Sequence, residues 1–76
     1  MIPKKPSKEI IGMMIKVQRK EKKITQQHLA DLLEVDRQYI WRLENGKINL
    51  TMDYLDHVIT KLNCTQADFI VLVIES

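Results

Sequence analysis

Two short amphipathic helices, predicted close together within residues 25–44, constrain the fold of this chain more than any other feature. In the first helix, Leu29, Ala30 and Leu33 lie at i, i+1 and i+4, which places them on one face. Thr25 precedes this helix, and its hydroxyl can cap the first turn by accepting a hydrogen bond from a free backbone N–H. The pattern therefore predicts a helix that begins near residue 26 and buries one face.

The second helix is predicted to start only a few residues later. Asp36 is a good N-cap, and Ile40 and Leu43 follow it at i and i+3 on one face. After them, Asn45-Gly46 supplies a residue that readily adopts the left-handed conformation in which many helices end. These signals predict a second short helix that ends before residue 46.

Only Glu34 and Val35 connect the two helices. So short a connection makes them cross steeply, as in a helix-turn-helix, and Ala30 is small enough for a close approach. The shared core is expected to contain Ile24, Leu29, Leu33, Val35, Ile40 and Leu43. The uncovered face of the second helix carries Arg37, Gln38, Trp41 and Arg42. Such a face indicates DNA binding, although similar helix pairs also occur in bundles that bind nothing.

Many positions at fixed offsets match a known family. The matching residues are Ile24-Thr25-Gln26, Leu29-Ala30, Val35, Ile40 and Leu43-Glu44-Asn45-Gly46-Lys47. In these residues the chain resembles the phage Cro/repressor-type helix-turn-helix family, also called the xenobiotic-response-element family. The resemblance extends over nearly the whole chain. It implies an all-α, compact five-helix domain of the lambda-repressor-like fold, with the helix-turn-helix at helices 2 and 3.

The remaining helices are predicted from caps and spacing. A first helix is expected over residues 8–22 with Ser7 as its cap, a fourth begins after Thr51, and Thr65-Gln66-Ala67-Asp68 resembles a capping box that opens a fifth. We expect a basic N-terminal arm over residues 1–7 and a single domain over residues 8–76. The segment Asp36-Arg37-Gln38-Tyr39-Ile40 is also similar to the recognition helix of restriction-modification controller proteins, a subgroup of the family.

The resemblance also implies roles for single residues. The first-helix arginine, here Arg19, is expected to pair with the glutamate that ends the recognition helix, here Glu44. A buried ion pair of this kind holds two helices together, so we interpret both residues as structural. Gln26 is expected to contact a DNA phosphate, because it lies at a helix N-terminus, which favours anions.

Side-chain chemistry predicts how the second helix reads bases. Arg37 can donate two hydrogen bonds to guanine, and Gln38 can form two with adenine. The resemblance adds Arg42, for which a phosphate contact is the alternative, and Asp36, which is also a cap and could accept from cytosine. Backbone contacts are predicted for Gln26, Tyr39, Trp41, Lys47 and Asn49. For Trp41 we expect packing on the first helix with the indole N–H directed to a phosphate, and the alternative is a contact with a thymine methyl group.

The segment 69–74 is apolar all round, whereas a helix in a small domain can bury only one face in its own core. A second copy of the chain is therefore expected to cover the rest, as a helix or as a short strand pairing across the dimer axis. A fully buried terminal helix in a monomer is the alternative. The predicted interface residues are Phe69, Ile70, Leu72, Val73 and Ile74.

Composition and charge agree with a small binding module. The 76 residues are 45% hydrophobic and make one domain with a modest core. Residues 1–23 carry seven lysines and Arg19 against Glu9 and Glu21, a net charge of +6, whereas residues 24–51 sum to −1 and residues 52–76 to −3. This polarity indicates that one side of the fold faces phosphate, and a lysine-rich helix that is merely solvated is the alternative.

Several function classes are excluded by the sequence. Cys64 is the single cysteine and cannot form an intramolecular disulfide, and no apolar run reaches the roughly 18 residues of a membrane span. We therefore expect a cytoplasmic protein of a bacterium or phage. His28 and His57 lack partners at metal-ligand spacing, and no nucleophile or phosphate-binding loop is present. No enzyme activity, metal, cofactor or small-molecule ligand is expected.

The sequence thus predicts a homodimeric, sequence-specific DNA-binding protein that regulates transcription as a repressor on a near-palindromic operator. Two recognition helices related by a two-fold axis and roughly 34 Å apart would read successive major grooves. Two alternatives stay open. One is the antitoxin of a toxin–antitoxin pair, and the other is a protein-interaction module that keeps the fold without binding DNA.

Overall fold

The computed structural model describes residues 7–63, which form four α-helices and contain no strand. Their bounds are α1 Ser7–Glu21, α2 Gln26–Leu33, α3 Arg37–Glu44 and α4 Met52–Lys61. The all-α class and the helix-turn-helix at α2 and α3 are confirmed. The first helix includes Ser7, which was predicted as its cap. The fifth helix, the C-terminal strand, the dimer segment 69–74, Cys64 and most of the N-terminal arm lie outside the described residues.

Of the four N-caps predicted within the described residues, Ser7 is the first residue of α1 instead of its cap, and the other three are confirmed. In each case the cap side chain accepts a hydrogen bond from the backbone N–H three residues later, which satisfies one of the free donors of the first turn. The bonds run from His28 N to Thr25 Oγ1 at 3.0 Å, from Tyr39 N to Asp36 Oδ1 at 2.7 Å and from Tyr54 N to Thr51 Oγ1 at 3.0 Å.

The turn between α2 and α3 is closed by one residue in the left-handed conformation. Glu34 has φ 58° and ψ 43°, and its backbone N–H points to the carbonyl oxygens of Ala30 and Asp31. The next amide, that of Val35, donates to the same Ala30 oxygen at 2.9 Å. Since a left-handed conformation is unfavourable for any residue with a Cβ, this turn is locally strained. The strained residue is the first of the three that connect Leu33 to Arg37.

All four helices contribute to one hydrophobic core. Its buried members are Met14, Ile15, Leu29, Ala30, Leu33, Ile40, Leu43, Val58, Ile59 and Leu62. Two of the predicted core residues, Ile24 and Val35, are only half-buried and pack against its edge. Leu50, in the loop before α4, also packs against this core. The core fixes the orientation of α3 by burying Ile40 and Leu43 from one side.

The first helix approaches the end of α3 at backbone distance, and two glycines permit this. A Cβ at Gly12 would collide with the carbonyl oxygen of Leu43 and would lie 2.9 Å from that of Glu44. Gly46 has φ +70°, and a Cβ there would lie 2.5 Å from Cγ of Glu9. The C-terminal end of α3 is therefore held directly against the backbone of α1.

Among the helices of residues 7–63, none has the length and hydropathy that spanning a membrane requires.

Candidate nucleic-acid interface

The outer face of α3 presents the four side chains that the sequence predicts there. Arg37, Gln38, Trp41 and Arg42 are exposed, whereas Ile40 and Leu43 on the opposite face are buried. The four exposed residues line an open depression of about 460 Å³. They share one face because a helix returns to the same side every three to four residues. The structure therefore brings two guanidinium groups, one amide and one indole onto one accessible surface.

Asp36, predicted as a base reader, is exposed at the N-terminus of α3 and acts as its cap. Its Oδ1 atom accepts the 2.7 Å hydrogen bond from Tyr39 N. A carboxylate at this place stabilises the positive end of the helix dipole. One carboxylate oxygen is thus engaged within the protein, and Oδ2 is the atom with which Asp36 could accept from a base.

Arg19 of α1 and Glu44 at the end of α3 form a buried ion pair. Nε of Arg19 donates to Oε2 of Glu44 at 2.6 Å, and Nη2 donates to Oε1 at 3.2 Å. Nη1 of the same guanidinium donates to the carbonyl oxygen of Ile24 at 2.9 Å. Both charged residues are less than a tenth exposed. This arginine therefore ties α1 to the end of α3 and to the turn before α2.

Gln26, predicted to contact a phosphate, has a partner inside the protein. Its side-chain Nε2 donates to Oε1 of Glu44 at 3.1 Å, and the residue is half-buried. The first residue of α2 and the last residue of α3 are thereby joined through the same carboxylate that receives Arg19. This bond is not predictable from the sequence. No local spacing signals it, because the two residues are 18 positions apart.

Tyr39, another predicted backbone contact, packs on α4. Its ring meets that of Tyr54 edge to face, with centroids 6.1 Å apart and planes at 80°. Tyr54 also lies against His57, with centroids 5.8 Å apart. The hydroxyl of Tyr54 is buried without a hydrogen-bond partner among the described residues. Burial raises the pKa of this hydroxyl above 10.0, and the neighbouring Tyr39 raises it further.

The end of α3 is held by a compact set of hydrogen bonds. The carbonyl oxygen of Trp41 accepts from the backbone N–H of Asn45 at 3.0 Å and from its Nδ2 at 2.8 Å. The backbone N–H of Lys47 donates to the carbonyl oxygen of Arg42 at 2.9 Å. Lys47 and Asn49, both predicted backbone contacts, are exposed just beyond this cap. The loop therefore leaves α3 in a defined direction and carries an exposed lysine just beyond the helix.

Within residues 7–63, no group of three or more histidine, cysteine or acidic side chains could hold a metal ion. The carboxylate of Asp36 lies at the N-terminus of α3, and the outer face of this helix carries cationic, amide and aromatic side chains. Such groups can donate hydrogen bonds to anions and to base edges, and can cover apolar groups.

The fold is similar to those of several solved structures. The crystal structure of the clp gene regulator ClgR from C. glutamicum is similar, with a TM-score of 0.86 and 25% identity, over 100% of this chain and 97% of that chain. The restriction-modification controller protein C.Esp1396I, solved as a tetramer in complex with its natural 35 base-pair operator, gives a TM-score of 0.78 and 31% identity over 88% of each chain.

A further controller protein, C.AhdI from Aeromonas hydrophila, gives a TM-score of 0.71 over 80% of this chain and 88% of that chain. Its identity is 24%, so this likeness concerns the fold alone. A search of curated protein sequences finds no match. The helix-turn-helix family profile matches residues 15–69, which is more than half of the sequence. The chain therefore belongs to the Cro/repressor-type helix-turn-helix family.

Proposed function

We propose that this protein binds double-stranded DNA sequence-specifically as a homodimer and regulates transcription as a repressor on a near-palindromic operator. The proposal rests on the exposed face of α3, which carries Arg37, Gln38 and Arg42. The opposite face of this helix is buried against the core. An α-helix with these side chains fits the major groove of B-form DNA. Family membership supports the same class of function, as do the similar regulator ClgR and the operator-bound C.Esp1396I.

Base readout is assigned to the outer face and to the start of α3. Arg37 and Gln38 occupy the first turn, which enters deepest when a recognition helix is inserted with its N-terminus towards the bases. Arg37 suits O6 and N7 of guanine, and Gln38 suits N6 and N7 of adenine. Arg42 lies one turn further along the same face. Asp36 can accept from the amino group of cytosine through Oδ2, because Oδ1 serves the cap.

Backbone contacts are assigned to residues around α3. The Nε2 atom of Gln26 carries two N–H groups, of which one reaches Glu44, so the other can donate to a phosphate. Lys47 and Asn49 are exposed beyond α3, where loop residues hold the duplex in register. The hydroxyl of Tyr39, whose ring contacts α4 edge to face, can donate to a phosphate. The indole N–H of Trp41 is a further donor.

The homodimer is assigned to the apolar segment 69–74, through Phe69, Ile70, Leu72, Val73 and Ile74. One eight-residue helix reads only a few base pairs, whereas two helices related by a two-fold axis read two half-sites. The resulting complex would repress transcription by occupying a promoter. No catalytic role is part of the proposal.

The proposal is tested by selecting duplexes from a randomised library and measuring their affinity at several salt concentrations. We expect a near-palindromic consensus and an affinity that falls linearly in log K against log salt. Arg37→Ala and Gln38→Ala should each cost about 1–3 kcal/mol per half-site and relax the preference at one base pair. Lys47→Ala should weaken all sequences alike and lower the salt slope.

Lys61→Ala is the matched control, since it removes one exposed positive charge from the end of α4 and should leave sequence preference unchanged. Unchanged preference in both Arg37→Ala and Gln38→Ala would show that the readout assignment is wrong. Absence of any salt-dependent DNA affinity would overturn DNA binding altogether and favour a protein-interaction module. A dimer that persists after charged substitutions within residues 69–74 would overturn the interface assignment.

A further inference from the structure

Trp41 is an apolar side chain in the middle of a polar, positively charged surface. It is 49% exposed, whereas its neighbour Ile40 is fully buried. Single exposed apolar residues are common on proteins, so exposure alone carries no meaning. The position is what distinguishes Trp41, because it lies on the outer face of α3 and lines the same depression as Arg37, Gln38 and Arg42.

Helical spacing places Trp41 directly beside the two assigned base readers. It follows Arg37 by four positions and Gln38 by three, so the three side chains are neighbours on the helix surface. One helical turn advances about 5.4 Å along the helix axis, and successive base pairs are about 3.4 Å apart. A groove that receives Arg37 and Gln38 therefore presents base edges to the indole one or two base pairs further along.

The indole ring restricts which DNA groups Trp41 can recognise. It offers one N–H donor and no acceptor, and the rest of its surface is apolar. In the major groove, the thymine C5-methyl is the apolar group by which a base pair is read. From this position and this chemistry we infer that Trp41 contacts a thymine methyl and selects thymine at one position of each half-site. The inference rests on the proposed function, because it requires α3 to lie in the major groove.

A phosphate contact explains the position of Trp41 less well. That contact would use only the N–H and leave the ring in water, while the exposed Lys47, just beyond α3, carries a charge and is a better ligand for phosphate. The backbone of Trp41 is also held in place, because its carbonyl oxygen accepts hydrogen bonds from the backbone N–H and from Nδ2 of Asn45. Because the backbone is fixed, the indole ring starts from one defined position, which favours recognition of a small group at a defined place.

The experiment uses the full chain and a duplex selected from the randomised library. Each thymine of the half-site is replaced in turn by deoxyuridine, which keeps the base pairing and removes only the methyl group. For the wild-type protein we expect about a fourfold loss of affinity per half-site at one thymine, one or two base pairs from those read by Arg37 and Gln38. Trp41→Ala should bind the thymine and uracil duplexes equally at that position, and Trp41→Phe should keep part of the preference.

Met52→Ala is the matched control, because Met52 is 70% exposed and lies on α4. It should leave the thymine-to-uracil ratio unchanged. Circular dichroism of each variant shows whether the fold is retained. Equal weakening of thymine and uracil duplexes by Trp41→Ala, with the wild-type ratio kept, would overturn the inference in favour of a phosphate contact. A wild-type protein insensitive to every uracil replacement would also overturn it while leaving the proposed function intact, whereas a protein that binds no duplex overturns both.

Discussion

Arg19 and Glu44 meet across the boundary between α1 and α3, with Nε of the arginine 2.6 Å from Oε2 of the glutamate. The same carboxylate accepts from Gln26 at the start of α2. Three helices therefore converge on one buried negative charge at the C-terminal end of α3. Since α3 carries the candidate DNA-binding face, this arrangement fixes that face relative to the rest of the domain.

Removing the carboxylate should be strongly destabilising. Glu44→Ala leaves the guanidinium of Arg19 buried without its ionic partner, and we expect the free energy of unfolding to fall by about 3–5 kcal/mol. Urea denaturation of the wild type and the variant measures this. Replacing both residues by methionine removes both buried charges, so the double variant should recover much of the loss. A double variant no more stable than Glu44→Ala would contradict this account.

At Gly12 we expect alanine to lower stability, whereas helix propensity alone would predict a gain. Alanine in a helix interior is normally about 1 kcal/mol more favourable than glycine. At Gly12, however, the added Cβ meets the carbonyl oxygens of Leu43 and Glu44, and both belong to the backbone. We expect Gly12→Ala to destabilise the protein by about 1–3 kcal/mol in thermal or urea unfolding. Lys16→Ala, on the exposed side of α1, is the control and should change little.

The left-handed turn residue offers a stabilising substitution. Glu34 adopts φ 58° on an exposed loop, where glycine would avoid the unfavourable contact of the Cβ. We expect Glu34→Gly to raise the free energy of unfolding by about 0.5–1 kcal/mol, because relief of strain exceeds the extra chain entropy of glycine. Glu34→Ala keeps a Cβ and should show no such gain. Equal effects of the two substitutions would indicate that the charge of Glu34 matters instead.

Asp36 combines a cap with an assigned contact to DNA, and two substitutions separate these roles. Asp36→Ala removes the acceptor for Tyr39 N and should cost about 0.5–2 kcal/mol of stability. Asp36→Asn retains a capping oxygen and should cost much less. In DNA binding, Asp36→Asn should weaken the preference for one base pair of the selected duplex, because the carboxylate is the assigned acceptor for the amino group of cytosine. Titration of selected duplexes with both variants checks this, and uniformly stronger binding of all sequences by Asp36→Asn would contradict the base contact, because removing a negative charge near phosphates would then be its only effect.

The buried hydroxyl of Tyr54 should make stability fall at alkaline pH. Its pKa is raised in the folded state, mainly by burial, so the folded protein holds this proton more tightly than the unfolded chain. The contribution to stability is complete below the ordinary pKa of 10.0 and is lost as the pH rises from there through the higher folded value. Tyr54→Phe should reduce this alkaline loss of stability. Urea unfolding at pH values within about one unit of 10 measures it.

At neutral pH the same substitution removes a buried hydroxyl that has no partner among the described residues. We therefore expect Tyr54→Phe to keep or raise stability, by up to about 1 kcal/mol. Tyr39→Phe is the comparison variant, because it retains the edge-to-face ring contact with Tyr54. A marked loss of stability in Tyr54→Phe would indicate that this hydroxyl forms a hydrogen bond with the neighbouring Tyr39.

The helix ends could be predicted because their causes are local. Thr25, Asp36 and Thr51 each cap a helix through a backbone N–H three residues later, and that geometry depends only on the adjacent chain. The exposure of the outer face of α3 was equally predictable, since the helical period places its residues opposite Ile40 and Leu43. Periodicity also assigned Ile24 and Val35 to the core, but both lie at its edge, because a period identifies a face and not the depth of burial.

By itself, the sequence determined the helix pair, its caps, the polar face of α3 and the family, because these depend on residue type and short spacing. The tertiary structure alone decided which distant groups meet. The bond from Gln26 to Glu44, the backbone contact at Gly12 and the ring contact between Tyr39 and Tyr54 each join residues on different helices. Their partners are set by how whole helices pack around a shared core, so no short stretch of sequence contains the information that pairs them.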